Sequence, residues 1–148
     1  MTNALLPQRP SRLISSRSMP PCVLHVEDDA DFSAALKRRL EAHGVAVVRA
    51  FDGQDGIRQS QQFETDAVLI DLEMPNANGD EVLTALRANE NTKHIPVIVL
   101  TGRKDRQLQQ RMAELGASAY LTKPLSFDEL REQLARYIDI LPQPSLEP

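Results

Sequence analysis

The stretch "DAVLIDLEMPNANGDE", residues 66–81, sets an unbroken apolar run against a carboxylate, Asp71, followed by a loop rich in Pro and Asn. No polar residue interrupts 67–70, so the run does not alternate as a strand with one wet face would. It reads as a strand covered on both sides, the pattern of a parallel sheet. Asp71 then has two readings: a cap for the following loop or helix, or a reactive group at the mouth of a pocket. The capping role better suits Asn78 or Asp80, at the start of the next helix.

The pattern repeats along the chain. Short apolar runs occur at 22–26, 45–50, 67–70, 97–100 and 119–121, separated by stretches with helical spacing. Phe32, Leu36 and Leu40 lie four apart, Val82, Leu83 and Leu86 form a stripe, and Leu108, Met112 and Leu115 mark a fourth helix. A fifth runs through Phe127, Leu130, Leu134, Tyr137 and Ile138, with Ser126 as its expected N-cap. The second helix, around 55–63, is the weakest, with a face mostly of Gln and an interrupting Gly56. Five strand–helix repeats predict an α/β fold with an open, doubly wound parallel sheet.

Composition narrows the function. The 148 residues suffice for one domain with its own core. No apolar stretch reaches the roughly 20 residues of a membrane span, and a single cysteine, Cys22, excludes an internal disulfide and suits a reducing cytoplasm. The net charge is −4, but residues 1–20 carry Arg9, Arg12 and Arg17 and no acid, a charge of +3 that leaves −7 on the rest. So acidic a domain is a poor candidate for direct DNA or RNA binding. Residues 1–20 read as a disordered basic leader, 21–140 as the domain and 141–148 as a frayed tail. Prolines in the leader weigh against an amphipathic transit peptide, and Met19 leaves open a later start.

In a doubly wound sheet, ligands bind at the carboxyl ends of the strands. The polar residues that follow the runs are Glu27, Asp28 and Asp29, then Asp71, Thr101, and Thr122 with Lys123. All must emerge at one edge. Two like charges about 4 Å apart repel by about 4 kcal/mol at an effective dielectric near 20. The acids therefore need raised pKa values or a cation. Lys123 with a hard, oxygen-ligated Mg²⁺ balances Glu27, Asp28 and Asp71, and no Cys/His spacing suits zinc. A carboxylate nucleophile beside such a metal, a lysine and a hydroxyl is suited to accepting a phosphoryl group.

With these motifs placed, the chain resembles the receiver domains of two-component response regulators. "VLHVEDDADF" is similar to the family's first strand and acidic pair, and "VLIDLEMPNANG" to its phosphoacceptor strand, with Pro75 four and Gly79 eight residues beyond the Asp. "VIVLTG" and "AYLTKP" are similar to its last two strand ends. The resemblance implies a flavodoxin-like sheet of order 2-1-3-4-5 with five helices. It implies Asp71 as phosphoacceptor, Asp28 and Asp71 as direct Mg²⁺ ligands, Glu27 acting through water, and the Glu73 carbonyl completing the set. Thr101 and Lys123 would bind the phosphoryl group, the Lys123–Pro124 bond would be cis, and Tyr120 would be the aromatic switch. Gly102 would be the small residue beside the phosphoryl group, while Asp29 fits a cap for the first helix better than a ligand.

Two positions depart from the family pattern. His25 lies within the first strand, where it is expected as a neutral, hydrogen-bonded core imidazole, with a pH-sensitive influence on Glu27 as the alternative. Glu73 and Arg103, two beyond Asp71 and Thr101, are expected to form a modulating ion pair over the phosphoryl group that hinders the hydrolytic water, with two solvated side chains as the alternative. His43 and His94, at a helix end and in a loop, are not placed as phosphorylated histidines. The implied role is a stand-alone cytoplasmic switch, monomeric or weakly dimeric, phosphorylated by a sensor histidine kinase or histidine phosphotransfer protein. It is not a metabolic enzyme, and it would signal to a downstream protein through the helix 4–strand 5–helix 5 face, near Arg103, Lys104 and Arg106. Alternatives are a phosphorelay intermediate, a receiver cut from a larger or hybrid signalling protein, and a phosphate-blind scaffold. A flavin protein would need a phosphate-cradling loop where Glu27–Asp29 stand.

Overall fold

A computed structural model describes residues 19–74 and 79–145. Its elements alternate: β1 (Cys22–Val26), α1 (Ala30–Ala42), β2 (Ala46–Ala50), α2 (Gly53–Gln62), β3 (Ala67–Asp71), α3 (Gly79–Ala88), β4 (Val97–Thr101), α4 (Arg106–Leu115), β5 (Ala119–Thr122) and α5 (Phe127–Ala135). The strands form one parallel sheet in the order β2-β1-β3-β4-β5. The expected α/β architecture and strand order are therefore present. The chain reverses direction across the sheet after β2, which places the topological switch point between β1 and β3, where a ligand site is expected.

Side chains of alternate strand residues feed two separate cores. Val23, Leu69, Ile98, Leu100 and Leu121 pack under α1 and α5, through Leu36, Leu40, Phe127, Leu130 and Leu134. Leu24, Val26, Val68, Ile70, Val97 and Val99 pack on the other face against Val82, Leu83 and Leu86 of α3 and Met112 of α4. Every residue of β3 and of β4 is buried, which explains their continuous apolar runs.

The helices start where their caps direct. Asp29 accepts from the Phe32 amide, Asp52 from Asp55, Asp105 from Gln107 and Leu108, and Ser126 from Glu129. Gly56, which weakened the sequence signal for α2, has a packing reason: a Cβ there would lie 2.9 Å from Val26 Cγ2. The missing side chain lets α2 sit close on the end of β1.

Three local expectations change. Helix α5 ends at Ala135 rather than reaching Ile138; Tyr137 and Ile138 bond back to the Leu134 carbonyl, and Ile138 still reaches the core. The segment expected to fray after Ile140 is hydrogen-bonded: the amides of Leu141 and Ser145 donate to His43 and Ala42, and His43 Nδ1 lies 2.7 Å from the Leu141 carbonyl oxygen. Asp80 is not a helix cap but lies in the first turn of α3, accepting from Arg111 of α4 at 3.0 Å. Residues 1–18 of the leader, the Pro75–Asn78 part of the loop, including the candidate cap Asn78, and residues 146–148 lie outside the described residues. Among the described residues no helix is long and apolar enough to cross a membrane.

Candidate active site

The parallel register carries the polar strand ends to one edge. Asp71 is the last residue of β3, beside Leu100; Thr101 ends β4 and is paired with Thr122 at the end of β5. Glu27 and Asp28 follow β1, and the Glu27 amide donates to the Ala50 carbonyl of β2, fixing that turn. Lys123 follows β5, its amide donating to the Thr101 carbonyl at 2.7 Å. The Lys123–Pro124 peptide is cis, as expected.

At this edge a carboxylate oxygen from each of Glu27, Asp28 and Asp71 lies within 4.8 Å of the others. Glu27 and Asp71 are buried and Asp28 is exposed, so the group opens to solvent on one side. Lys123 Nζ reaches Glu27 Oε1 at 3.1 Å and Asp71 Oδ2 at 3.3 Å. Burial pushes the Glu27 carboxyl up to about 7, reinforced by hydrogen bonding to Asp71 and by its charge; Lys123 and the Asp29 amide oppose this. Burial works against the Lys123 ammonium, but the hydrogen bond to Glu27 and the charge of Asp71 outweigh it and raise its pKa. All three acids offer hard oxygen donors and carry more negative charge than one lysine offsets, so the group fits a hard divalent cation.

Phe32, read from the sequence only as core, also serves this site. Lys123 Nζ stands 4.9 Å from its ring centroid, so the ammonium that bridges Glu27 and Asp71 also rests on an aromatic face. Its only signal in the sequence was an aromatic residue in the first turn of α1. Behind it, the His25 ring meets Phe32 edge-on with centroids 5.8 Å apart.

His25 is fully buried, but neither ring nitrogen has a hydrogen-bond partner, so the expected hydrogen-bonded imidazole is not found. Burial, then the charge of Lys123, lowers its pKa to about 4, with Asp71 acting the other way. Because the folded value lies below the ordinary 6.5, the unfolded chain binds this proton first. Its contribution to stability is complete above pH 6.5 and is lost as pH falls toward 4. His25→Leu should remove that loss and, by eliminating two orphaned nitrogens, raise stability at pH 7 by about 1 kcal/mol. Urea melts at pH 5 and pH 7 check this, and an unchanged pH dependence would count against it.

The expected ion pair between Glu73 and Arg103 is not formed. Arg103 Nη2 pairs with Asp105 Oδ2 at 2.8 Å, two residues along its own loop. The Glu73 carboxylate instead takes the Thr101 hydroxyl at 2.8 Å and the Gly102 amide at 2.9 Å. The Glu73 amide donates to Asp71 Oδ1 at 3.1 Å. Two short-range donors, one of them buried, hold this carboxylate in place of a flexible exposed guanidinium.

Tyr120 lies toward the outer face of β5, its hydroxyl donating to the Arg103 carbonyl at 3.0 Å. With Lys104, Arg106, Gln109, Thr122 and Glu129 it lines a shallow cavity of about 350 Å³ between α4 and α5. Thr122, collected from the sequence with the strand-end groups, thus belongs to this wall. Asp29 is the α1 cap, as expected.

Residues 23–135 match the response regulator receiver domain family. The chain belongs to that family. Its receiver domain is 40% identical over 110 residues to the transcriptional regulatory protein PrrA of Mycobacterium bovis, covering 74% of this chain and 46% of PrrA. It is 34% identical over 121 residues to hybrid signal transduction histidine kinase D of Dictyostelium discoideum, covering 82% of this chain and 8% of the kinase. The chain thus spans less than half the length of these two relatives. By contrast, the polar-differentiation response regulator DivK of Brucella anthropi, at 28% identity, is matched over 98% of its length and 81% of this chain. Among solved structures, the receiver superimposes on chemotaxis protein CheY4 of Vibrio cholerae with a TM-score of 0.76 at 27% identity, covering 80% of this chain and 99% of that one. The receiver domain of sensor histidine kinase PA1611 from Pseudomonas aeruginosa, solved with magnesium coordinated in its active-site cleft, gives 0.73 at 28% identity, covering 80% and 97%. The chain is therefore a signalling domain of two-component systems.

Proposed function

We propose that this receiver accepts a phosphoryl group on Asp71 from a histidine kinase or histidine phosphotransfer protein, and that the modification switches its contacts with a downstream protein. The observation that carries the reading is Lys123 bridging Glu27 and Asp71 beside the cluster of three carboxylates. A carboxylate oxygen of Asp71 attacks phosphorus as the bond to the donor's imidazole nitrogen breaks. An acyl phosphate forms, and the leaving imidazole takes a proton from solvent. Asp28 and Asp71 directly, Glu27 through water, and the Glu73 carbonyl would hold Mg²⁺, which supplies charge neutralisation at the transferring oxygens. Lys123 and Thr101 would hydrogen-bond those oxygens.

In this reading Thr101 moves toward the phosphoryl group and Tyr120 turns inward behind it. That motion would break the Tyr120 bond to Arg103 and reshape the cavity between α4 and α5. The acidic domain would signal through protein contacts in the cytoplasm rather than bind DNA. Incubation with acetyl phosphate and Mg²⁺, followed by intact mass measurement, should add one phosphoryl group to the wild type and none to Asp71→Asn. Label that persists in Asp71→Asn would refute the assignment.

A further inference from the structure

Two neighbouring donors beside Asp71, the Thr101 hydroxyl assigned above to a phosphoryl oxygen and the next amide along, Gly102, are engaged by a carboxylate of the chain itself. Glu73 Oε2 accepts from the Thr101 hydroxyl at 2.8 Å and Glu73 Oε1 from the Gly102 amide at 2.9 Å. Each oxygen takes one donor, as two oxygens of a bound phosphoryl group would. Thr101 is fully buried and has no aqueous alternative, so its hydroxyl goes to whichever anion is present. Arg103, the cation that could draw Glu73 away, is held by Asp105. Glu73 is itself exposed, so a carboxylate displaced from these donors passes straight into water.

We propose that Glu73 is a built-in anion occupying the phosphoryl-oxygen cradle of Thr101 and Gly102, and that it must swing out before that cradle can close on phosphorylated Asp71. The proposal rests on the acceptor reading of Asp71. Glu73 is then a positioning and gating residue: it holds Thr101 in the resting arrangement and competes with any incoming anion for the same two donors. Charge-assisted hydrogen bonds are stronger than neutral ones, so the competition depends on the charge of Glu73 and not only on its shape.

The test compares wild type, Glu73→Gln and Glu73→Ala. With acetyl phosphate and Mg²⁺, labelling of Glu73→Ala should be about tenfold faster than wild type and Glu73→Gln intermediate. Beryllofluoride, a phosphoryl mimic, should bind Glu73→Ala more tightly with Mg²⁺ present. Without metal or donor, the Gly102 amide proton of Glu73→Ala should shift upfield from its wild-type position as its charged acceptor is lost. Labelling of wild-type Asp71 with no acceleration in Glu73→Ala, or an unshifted Gly102 amide, overturns the gate and leaves the acceptor reading standing. Wild type that takes no label overturns both.

Discussion

Lys123→Ala should lower the rate of acetyl phosphate labelling by about 100-fold or more, the scale seen when one preorganised charge-stabilising group is removed from an active site. The ammonium lies 3.1 Å from Glu27 and 3.3 Å from Asp71, both buried, and is the cation placed between them. Its removal leaves two buried carboxylates facing each other with no ammonium between them, so their repulsion is no longer offset. The phosphoryl oxygens lose a donor at the same time. Lys123→Arg should recover only part of the rate, because a planar fork does not reproduce a compact ammonium resting on the Phe32 ring. Time courses by intact mass decide the matter; a Lys123→Ala rate equal to wild type would remove Lys123 from the proposed chemistry.

The largest loss of stability is expected from Gly79→Ala. At the first residue of α3, a Cβ would stand 2.5 Å from Leu72 Cδ2, 3.0 Å from Ile70 Cγ2 and 3.2 Å from the Leu72 Cα. The first of these could be relieved by a side-chain rotation, but the last is backbone. Helix α3 would have to lift from the sheet, at a cost of about 2–3 kcal/mol for overpacking a closely fitted site. Leu72 immediately follows Asp71, so the strain reaches the acceptor, and labelling should slow as well. Gly102→Ala supplies the contrast: its Cβ would meet Glu73 Oε1 at an ordinary 3.5 Å, and its effect on stability should stay within about 0.5 kcal/mol. Urea denaturation of both variants tests the pair, and comparable stabilities would show that α3 has room to move.

The readings that held depend on covalent order and on burial of whole runs. Strands β3 and β4 are covered on both faces, so their apolar stretches mark them without ambiguity, and each ends in its polar residue at the edge where the register places it. Caps were legible for the same reason: Asp29 and Ser126 act on amides three residues away. Glu73 and Arg103 do not pair in this structure because each meets a nearer partner. Across the sheet edge, the Thr101 hydroxyl and the Gly102 amide meet Glu73, while Asp105 meets Arg103 within its own loop.

The amino-acid sequence by itself determined five strand–helix units, the parallel sheet and the gathering of Glu27, Asp28, Asp71, Thr101 and Lys123 at one edge, because strand periodicity and chain direction allow few other outcomes. Tertiary structure decided which of these groups touch. It set Lys123 between Glu27 and Asp71 and on the Phe32 ring, left the His25 nitrogens without partners, and turned Glu73 onto Thr101. Those contacts join residues 28 to 96 positions apart, and side-chain reach across a packed edge, not local pattern, selects among them.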